Sequence, residues 1–150
     1  MRETDRRLLT LTGEECYRLL ETQRIGRLGV IAEHYPLIFP VNYALDQRIL
    51  VLRFTEGTKF LAANHANVTF EVDQIDQRAR RGWSVLVRGL AEEVGDEHRA
   101  ELVARTRGAG VQPWAPGEHG RWLRLIPHAV SGRRIVPGQL PWGVDERAYL

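Results

Sequence analysis

The sequence predicts a mainly β protein of the α+β class, a six-stranded antiparallel β-barrel with short flanking helices. Apolar and polar residues alternate with a period of two over residues 37–44, 68–73 and 83–94. Short polar or glycine-containing turns join most strand candidates, and helical patterns are few and short. Six strands connected in this way favour closure into a small barrel. Side chains fill the interior of such a barrel, so we expect a ligand to bind outside it or at a subunit boundary.

Size and composition indicate a single cytoplasmic domain that spans residues 1–150. The chain has 150 residues and a hydrophobic content of 43%, which is ordinary for a globular protein. It has no run near the roughly 20 apolar residues that cross a bilayer. Residues 1–7 lead into no signal-peptide core. We therefore expect a cytoplasmic protein with no membrane partner.

The cysteine, the histidines and the net charge argue against several kinds of site. Cys16 is the only cysteine, which excludes an internal disulfide and a cysteine-based metal site. Its position on the apolar side of a helix predicts a buried residue. The five histidines show no metal-ligand spacing, so we predict no metal. The net charge of +2 is too small and too scattered to indicate a nucleic-acid surface.

Capping signals place the helices. Thr12 and Glu15 fit a capping box that begins a helix over residues 13–22. One or two helical turns are expected over residues 60–64. Asp96 is expected to cap a further helix that ends near Arg107.

Alternation and turn residues place the strands and loops. The strand candidates are residues 25–32, 37–44, 49–54, 68–73, 83–94, 122–126 and 129–136. Polar residues 74–82 predict a solvated turn. Residues 108–120 predict a loop in which Trp114, between two prolines, is preorganised for contact. The tail from 137 to 150 has no periodicity.

The junction after the strand at residues 49–54 predicts an anion site. Gly57 allows a tight turn, and Thr58 can cap the short helix whose free N–H groups point towards an anion. Arg53 and Lys59 flank the turn with two positive charges, which suit a phosphate dianion. Lys59 is the only lysine among 21 basic residues, which indicates a task that arginine does not perform. Alternatively, Arg53 is a strand arginine that reaches out to water.

Five groups of residues carry a resemblance that runs from about residue 25 to residue 135. They are Ile25-Gly26-Arg27-Leu28, Pro40-Val41-Asn42-Tyr43, Arg53-Phe54-Thr55 with Gly57-Thr58-Lys59, Trp83-Ser84-Val85, and Trp122-Leu123-Arg124-Leu125 with Pro127. In this order and at these intervals, they resemble the pyridoxamine 5'-phosphate oxidase-like family of FMN-binding split β-barrels.

The resemblance implies a homodimer that holds FMN in grooves between its subunits. Arg53, Thr58 and Lys59 are implied to bind the FMN phosphate, in agreement with the anion site. Thr55 is implied to reach the ribityl or phosphate region. The flavin itself carries the redox chemistry, so the resemblance names no catalytic side chain.

The resemblance also implies which residues surround the flavin ring. Val41, Asn42 and Tyr43 would lie along the isoalloxazine, with backbone groups near its reactive edge. The remaining contacts would come from a neighbouring strand, with Ser84 and Val85, and from the partner subunit, with Trp114 and Arg124.

The sequence departs from the true oxidase at the substrate site. That enzyme holds its pyridoxal-type substrate with a C-terminal arginine and histidine pair, whereas Arg133-Arg134-Ile135 lacks the histidine. We therefore predict an FMN-dependent oxidoreductase acting on a small molecule other than pyridoxamine phosphate, with the electron donor undetermined. Two alternatives stay open: a deazaflavin-dependent reductase with the same groove, and a flavin- or haem-binding protein without turnover. Nucleic-acid binding through Arg78, Arg80 and Arg81 would require steep salt dependence.

Overall fold

The computed structural model describes residues 6–55, 62–117 and 120–137, which form seven strands and two full helices. The strands are β1 (Arg6–Thr10), β2 (Ile25–Ala32), β3 (Tyr35–Asp46), β4 (Ile49–Phe54), β5 (Ala66–Asp76), β6 (Arg81–Glu93) and β7 (Arg121–Pro137). The helices are α1 (Gly13–Leu20) and α2 (Ala100–Arg107). Of the helical turns predicted over 60–64, Ala62 and Ala63 are helical, and residues 60 and 61 lie outside the described residues.

Six of the strands close into a ring, in the order β7, β4, β3, β2, β5 and β6, with β6 pairing again with β7. Every pairing is antiparallel. The predicted six-stranded antiparallel barrel with flanking helices is therefore confirmed. β1 lies outside the ring and pairs with the end of β7. It was not predicted because its five residues are too few to show a pattern.

The prediction of two separate final strands is wrong, because β7 is one strand of 17 residues. Its pairing with β6 changes register between Arg88 and Gly89, where Gly89 pairs with Pro127 and Arg88 with Ala129. His128 is therefore the extra residue of a β-bulge. A Cβ at Gly89 would collide with the Ile126 carbonyl oxygen, so glycine is required opposite the bulge. Pro127 and His128, which the prediction left between its two strands, lie at this bulge.

Several other boundaries differ from the prediction, and β3 extends two residues beyond its predicted range at each end. The turn predicted over 74–82 is shorter, because β5 continues to Asp76 and β6 begins at Arg81. Asp96 does not cap α2, which begins at Ala100 without a side-chain cap. Instead, Asp96 Oδ1 accepts a hydrogen bond from Arg107 at 2.9 Å, at the other end of the helix.

The first helix begins at Gly13 with the predicted capping box, ends at Leu20 instead of residue 22, and is fixed to the barrel. The Glu15 N–H donates to Thr12 Oγ1 at 3.2 Å, and the Thr12 N–H donates to Glu15 Oε2 at 2.8 Å. The predicted burial of Cys16 is confirmed. The Tyr43 hydroxyl donates to the Leu20 carbonyl at 2.6 Å. It thereby satisfies one of the carbonyls that the end of a helix leaves open.

Side chains fill the barrel, as the alternation predicted. Its interior contains fully buried residues from every ring strand, including Leu28, Tyr43, Leu52, Phe70, Val85 and Leu125. The rings of Tyr43 and Phe70 pack edge to face at 5.1 Å between centroids. A ligand of flavin size therefore has to bind on the outer face of the sheet.

Candidate functional site

Arg53 extends from the outer face of β4, just before the strand ends. Its neighbours Leu52 and Phe54 point into the core, so the alternation turns Arg53 outwards. Its guanidinium carbon lies 4.5 Å from the ring centroid of Trp122, its register partner on β7. Thr55, which is exposed, is the first residue after the end of β4. Gly57, Thr58 and Lys59 lie outside the described residues, so the structure shows the part of the predicted anion site that β4 supplies.

The ring of Trp122 is 9% exposed and belongs to a second apolar cluster on the outside of the barrel. Val51 and Val111 complete this outer cluster, against which Ala44 and Ala109 pack. Val51 comes from the strand that carries Arg53, whereas Val111 comes from the segment that follows α2. The segment from residue 100 to residue 114 thus covers the outer face of β3, β4 and β7.

Asn42 and Trp114 lie together within one chain, although they are 72 residues apart in sequence. The Trp114 backbone N–H donates to Asn42 Oδ1 at 2.8 Å. Asn42 Nδ2 donates to the Arg24 carbonyl at 3.2 Å. The amide of Asn42 is therefore engaged at both ends, while the Trp114 side chain stays 67% exposed. The contact offers an aromatic surface beside the predicted position of the flavin ring.

Three predicted site residues have side chains in the core. Val41, Tyr43 and Val85 are buried inside the barrel. Burial raises the pKa of Tyr43, an effect that the nearby Arg24 partly opposes, so the phenol stays protonated. A ligand on the outer face would meet the backbone of these residues and not their side chains.

Arg124 is held in a buried network with Asp46 and α2. Its guanidinium donates to Asp46 Oδ2 at 2.8 Å and to Thr106 Oγ1 at 3.0 Å. Arg105 donates to Asp46 Oδ1 at 3.1 Å. Burial alone would raise the pKa of Asp46, but hydrogen bonds and charges from Arg124 and Arg105 together lower it. The network fastens α2 to the end of β3. Sequence reasoning assigned Asp46 only to a turn, since nothing local indicates a partner 78 residues away.

Ser84 lies in another part of the outer face. It pairs with Asp73 on β5 and with Arg133 on β7. The β6 partner of Arg124 is Glu92, which is eight residues from Ser84 in sequence. At about 3.3 Å per residue, this separation is about 26 Å along the strand. Within one chain, Ser84 and the Arg53 side of the barrel are not brought together.

A charged cluster on the outer face of β2 and β5 was not predicted as a unit. Arg27 Nη1 lies 3.7 Å from Glu71 Oε2 and 3.4 Å from Asp73 Oδ2. Burial and the Asp73 carboxylate raise the pKa of Glu71 to about 7, against the opposing charge of Arg27. Alternate positions of one strand share a face, so the spacing of the two acids was the available signal.

A surface cavity of about 330 Å³ opens near the Asn42 contact, between the end of α1, the end of β3 and the Ala109–Gly110 backbone. Its charged and amide lining residues are Glu21, Gln23, Arg24 and Gln47. Arg53 is not among the residues that line it, so the cavity is separate from the anion site.

The described part of the chain contains neither a group of metal-binding side chains nor a bilayer-spanning helix. No three of its histidine, cysteine, aspartate and glutamate residues are placed to hold a metal ion. None of its helices has the length and apolar character that crossing a membrane requires.

Comparison with known proteins gives consistent matches. Residues 12–134 match the family model described as pyridoxamine 5'-phosphate oxidase. The uncharacterized protein Rv0080 of Mycobacterium tuberculosis is 34% identical over 140 residues, covering 89% of this chain and 90% of that protein. An FAD-binding protein from Mycobacterium smegmatis is 34% identical with a TM-score of 0.65, covering 85% of this chain and 98% of that chain. An FAD-binding protein from Mesorhizobium loti is 28% identical with a TM-score of 0.69, and the match covers 87% of this chain and 98% of that chain.

Proposed function

This chain belongs to the pyridoxamine 5'-phosphate oxidase family, and from that premise we propose that it is an FMN-dependent oxidoreductase. The observation that carries the proposal is the position of Arg53. Its guanidinium stands on the outer face over a buried indole, and Arg53 comes shortly before Gly57 and Lys59, the only lysine in the sequence, where a tight turn is predicted. An oriented guanidinium beside a glycine turn suits a phosphate ester.

The donors in and around this site fit the phosphate of FMN. Arg53 and the Thr55 hydroxyl supply a cationic and a neutral donor at the end of β4, and Thr58 and Lys59 follow a few residues later. The backbone of Val41 to Tyr43 would run along the ring, because the Asn42 amide is already engaged. The exposed Trp114 would supply a stacking surface.

The flavin, when bound, would supply the redox chemistry by accepting and donating a hydride. The chain's own residues bind and orient it. Arg53 would fix the phosphate end, while the bond from the Trp114 N–H to Asn42 Oδ1 would hold the aromatic contact at the ring end. We propose a small-molecule substrate other than pyridoxamine phosphate, because Arg133-Arg134-Ile135 offers no histidine to pair with an arginine.

We extend the proposal to a homodimer with the flavin between its subunits. The β2–β3 hairpin exposes large apolar side chains: Ile31 is 66% exposed, Tyr35 71% and Ile38 76%. Ser84 lies far from Arg53 within one chain, so a groove containing both requires a second copy. Sedimentation velocity should give a dimer for the wild type and a monomer for the variant carrying both Ile31→Asp and Ile38→Asp. A monomeric wild type would reject this part of the proposal.

Flavin titration of the purified full chain tests the proposed function. FMN, FAD, riboflavin and an 8-hydroxy-5-deazaflavin are compared by flavin absorbance and fluorescence. We expect FMN to bind, and combined Arg53→Ala and Lys59→Ala to weaken FMN by at least about tenfold while riboflavin binding is retained. Arg48→Ala is the matched control, since its guanidinium lies 4.9 Å from the Tyr17 ring centroid, away from the anion site. A protein that takes up none of these flavins, or a double variant with unchanged FMN affinity, contradicts the proposal.

Turnover is tested separately. The FMN-loaded protein is mixed anaerobically with NADH, NADPH or a reduced deazaflavin, and bleaching of the flavin is recorded. We expect at least one donor to reduce the bound flavin. A flavin that every donor leaves oxidised would make the protein a flavin carrier, and a preference for the deazaflavin over FMN would identify the alternative reductase.

A further inference from the structure

The contact between Arg53 and Trp122 assigns a role to a residue for which the family resemblance implies none. We propose that Trp122 is a positioning residue, which orients the Arg53 guanidinium for the cofactor phosphate. The inference rests on the proposed function, since it takes Arg53 as a phosphate ligand. It concerns how the chain selects a phosphorylated flavin over the same flavin without its phosphate.

The geometry favours orientation of Arg53 over simple packing. The two residues are direct register partners on β4 and β7, and the guanidinium carbon lies 4.5 Å from the ring centroid. This distance is within the range of a cation–π contact, which strengthens when the ring is shielded from water. The indole is 9% exposed, so it is shielded. An arginine side chain that is already oriented loses less conformational freedom when it binds an anion.

The outer cluster fixes the indole itself. Val51 and Val111 pack with Trp122, and Val111 is supplied by the segment from residue 100 to residue 114. This segment is fastened at several points. Arg105 donates to Asp46 at 3.1 Å, Arg124 donates to Thr106 at 3.0 Å, and the Trp114 N–H donates to Asn42 at 2.8 Å. The segment from residue 100 to residue 114 therefore supports the Trp122 indole, which in turn contacts the Arg53 guanidinium.

The test measures the ratio of riboflavin to FMN dissociation constants in the full-length protein. Trp122→Leu keeps an apolar side chain but removes the π face, whereas Trp122→Phe keeps a smaller π face. We expect Trp122→Leu to reduce the preference for FMN by about three- to tenfold with riboflavin affinity unchanged, and Trp122→Phe to lie between it and the wild type. Tyr17→Leu is the matched control, because it removes the other arginine–aromatic contact and should leave the ratio unchanged.

A second variant keeps the test decisive if Trp122→Leu fails to fold. Val111→Ala alters the support of the indole without changing β7, and it should reduce the ratio in the same direction by a smaller factor. An equal loss of FMN and riboflavin affinity, or an unchanged ratio in Trp122→Phe and Val111→Ala, would overturn the inference.

Arg53→Ala separates this failure from that of the proposed function. If Arg53→Ala removes the preference for FMN and the Trp122 variants do not, only the positioning role is wrong. If Arg53→Ala leaves the preference unchanged, the phosphate site itself is wrong.

Discussion

Two charged clusters on this barrel contain the same kinds of side chain in opposite proportions. At the end of β3, Asp46 meets two arginines, Arg105 and Arg124. On the face of β2 and β5, Arg27 meets two carboxylates, Glu71 and Asp73. The pKa of Asp46 is lowered, while that of Glu71 is raised to about 7. Burial disfavours the charged form of both carboxyls, but their neighbours differ: two arginines outweigh burial at Asp46, whereas at Glu71 the Asp73 carboxylate adds to burial against a single arginine.

This difference gives the two clusters opposite responses to pH. A carboxyl whose pKa is lowered by folding stabilises the protein above its usual pKa, and this contribution is lost as the pH falls through the folded value. A carboxyl whose pKa is raised favours the fold below its usual pKa, and that contribution is lost as the pH rises through the folded value. The stabilisation from the Asp46 cluster should therefore be lost in acid. The stabilisation from the Glu71 cluster should decrease as the pH rises from about 4.5 to about 7.

The largest expected effect is that of Asp46→Ala. It leaves Arg124, whose side chain is 10% exposed, without its carboxylate, and losing one partner of a buried pair costs about 3 kcal/mol. Urea unfolding at pH 7 measures the loss of unfolding free energy. Asp46→Asn keeps one acceptor oxygen for an arginine but replaces the other with an NH2 group and carries no charge, so we expect a smaller loss of about 1.5 kcal/mol. Equal losses for the two variants would show that the charge of Asp46 does not matter.

Glu71→Gln should change the pH dependence of stability. The amide cannot ionise, so the wild-type decline between about pH 4.5 and about pH 7 should flatten in the variant. At pH 8 we expect the variant to be more stable than the wild type by about 1 kcal/mol, because the Glu71 side chain is 32% exposed and water screens part of the effect. Unfolding free energies at pH 5 and pH 8 provide the measurement. Asp73→Asn should flatten the same window, and parallel curves for all three proteins would contradict the assignment.

The two clusters also show how far sequence reasoning reaches. Apolar runs gave β2 and β4 at their observed bounds, and alternation gave the buried faces of β3, β5 and β6. It also placed Glu71 and Asp73 on one face. It could not pair Arg124 with Asp46, 78 residues away, because a periodic pattern shows which face a residue occupies and not which strand lies beside it.

The same limit applies to the candidate site: the sequence predicted residues but not the contacts between them. The motifs supplied Arg53 and Asn42 as candidates, and the flanking prolines and the resemblance supplied Trp114. None of these signals showed the bond from the Trp114 N–H to Asn42 Oδ1 or the indole beneath Arg53. Both contacts depend on the closure of the ring, which brings β7 beside β4 and the segment after α2 over β3. The β-bulge at His128 was missed for a related reason. The sequence showed a proline, and only the register with β6 showed that the strand continues.

Arg27→Gln is expected to have an intermediate effect on stability. It removes the cation of the Glu71 cluster, whereas Glu71→Gln removes one of its carboxylates. Arg27 lowers the pKa of Glu71, so its removal should raise that pKa further. At pH 8, where two unneutralised carboxylates would remain, we expect a loss of about 1 kcal/mol in unfolding free energy. Carboxyl ¹³C chemical shifts of Glu71 across a pH titration measure the pKa directly. An unchanged or lower pKa would mean that Arg27 does not lower the pKa of Glu71.

The smallest effect is expected for Arg105→Gln. Arg105 is the more exposed of the two arginines on Asp46, at 44% against 10% for Arg124, so water screens its share of the ion pair. We expect a loss of about 0.5 kcal/mol at pH 7, together with an upward shift of the Asp46 pKa. Arg107→Gln is the matched control two residues further along the same helix. Its ion pair with the 89% exposed Asp96 should contribute even less. If Arg105→Gln costs as much as Asp46→Ala, the exposed arginine rather than the buried one holds α2 on the barrel, and the ranking by burial is wrong.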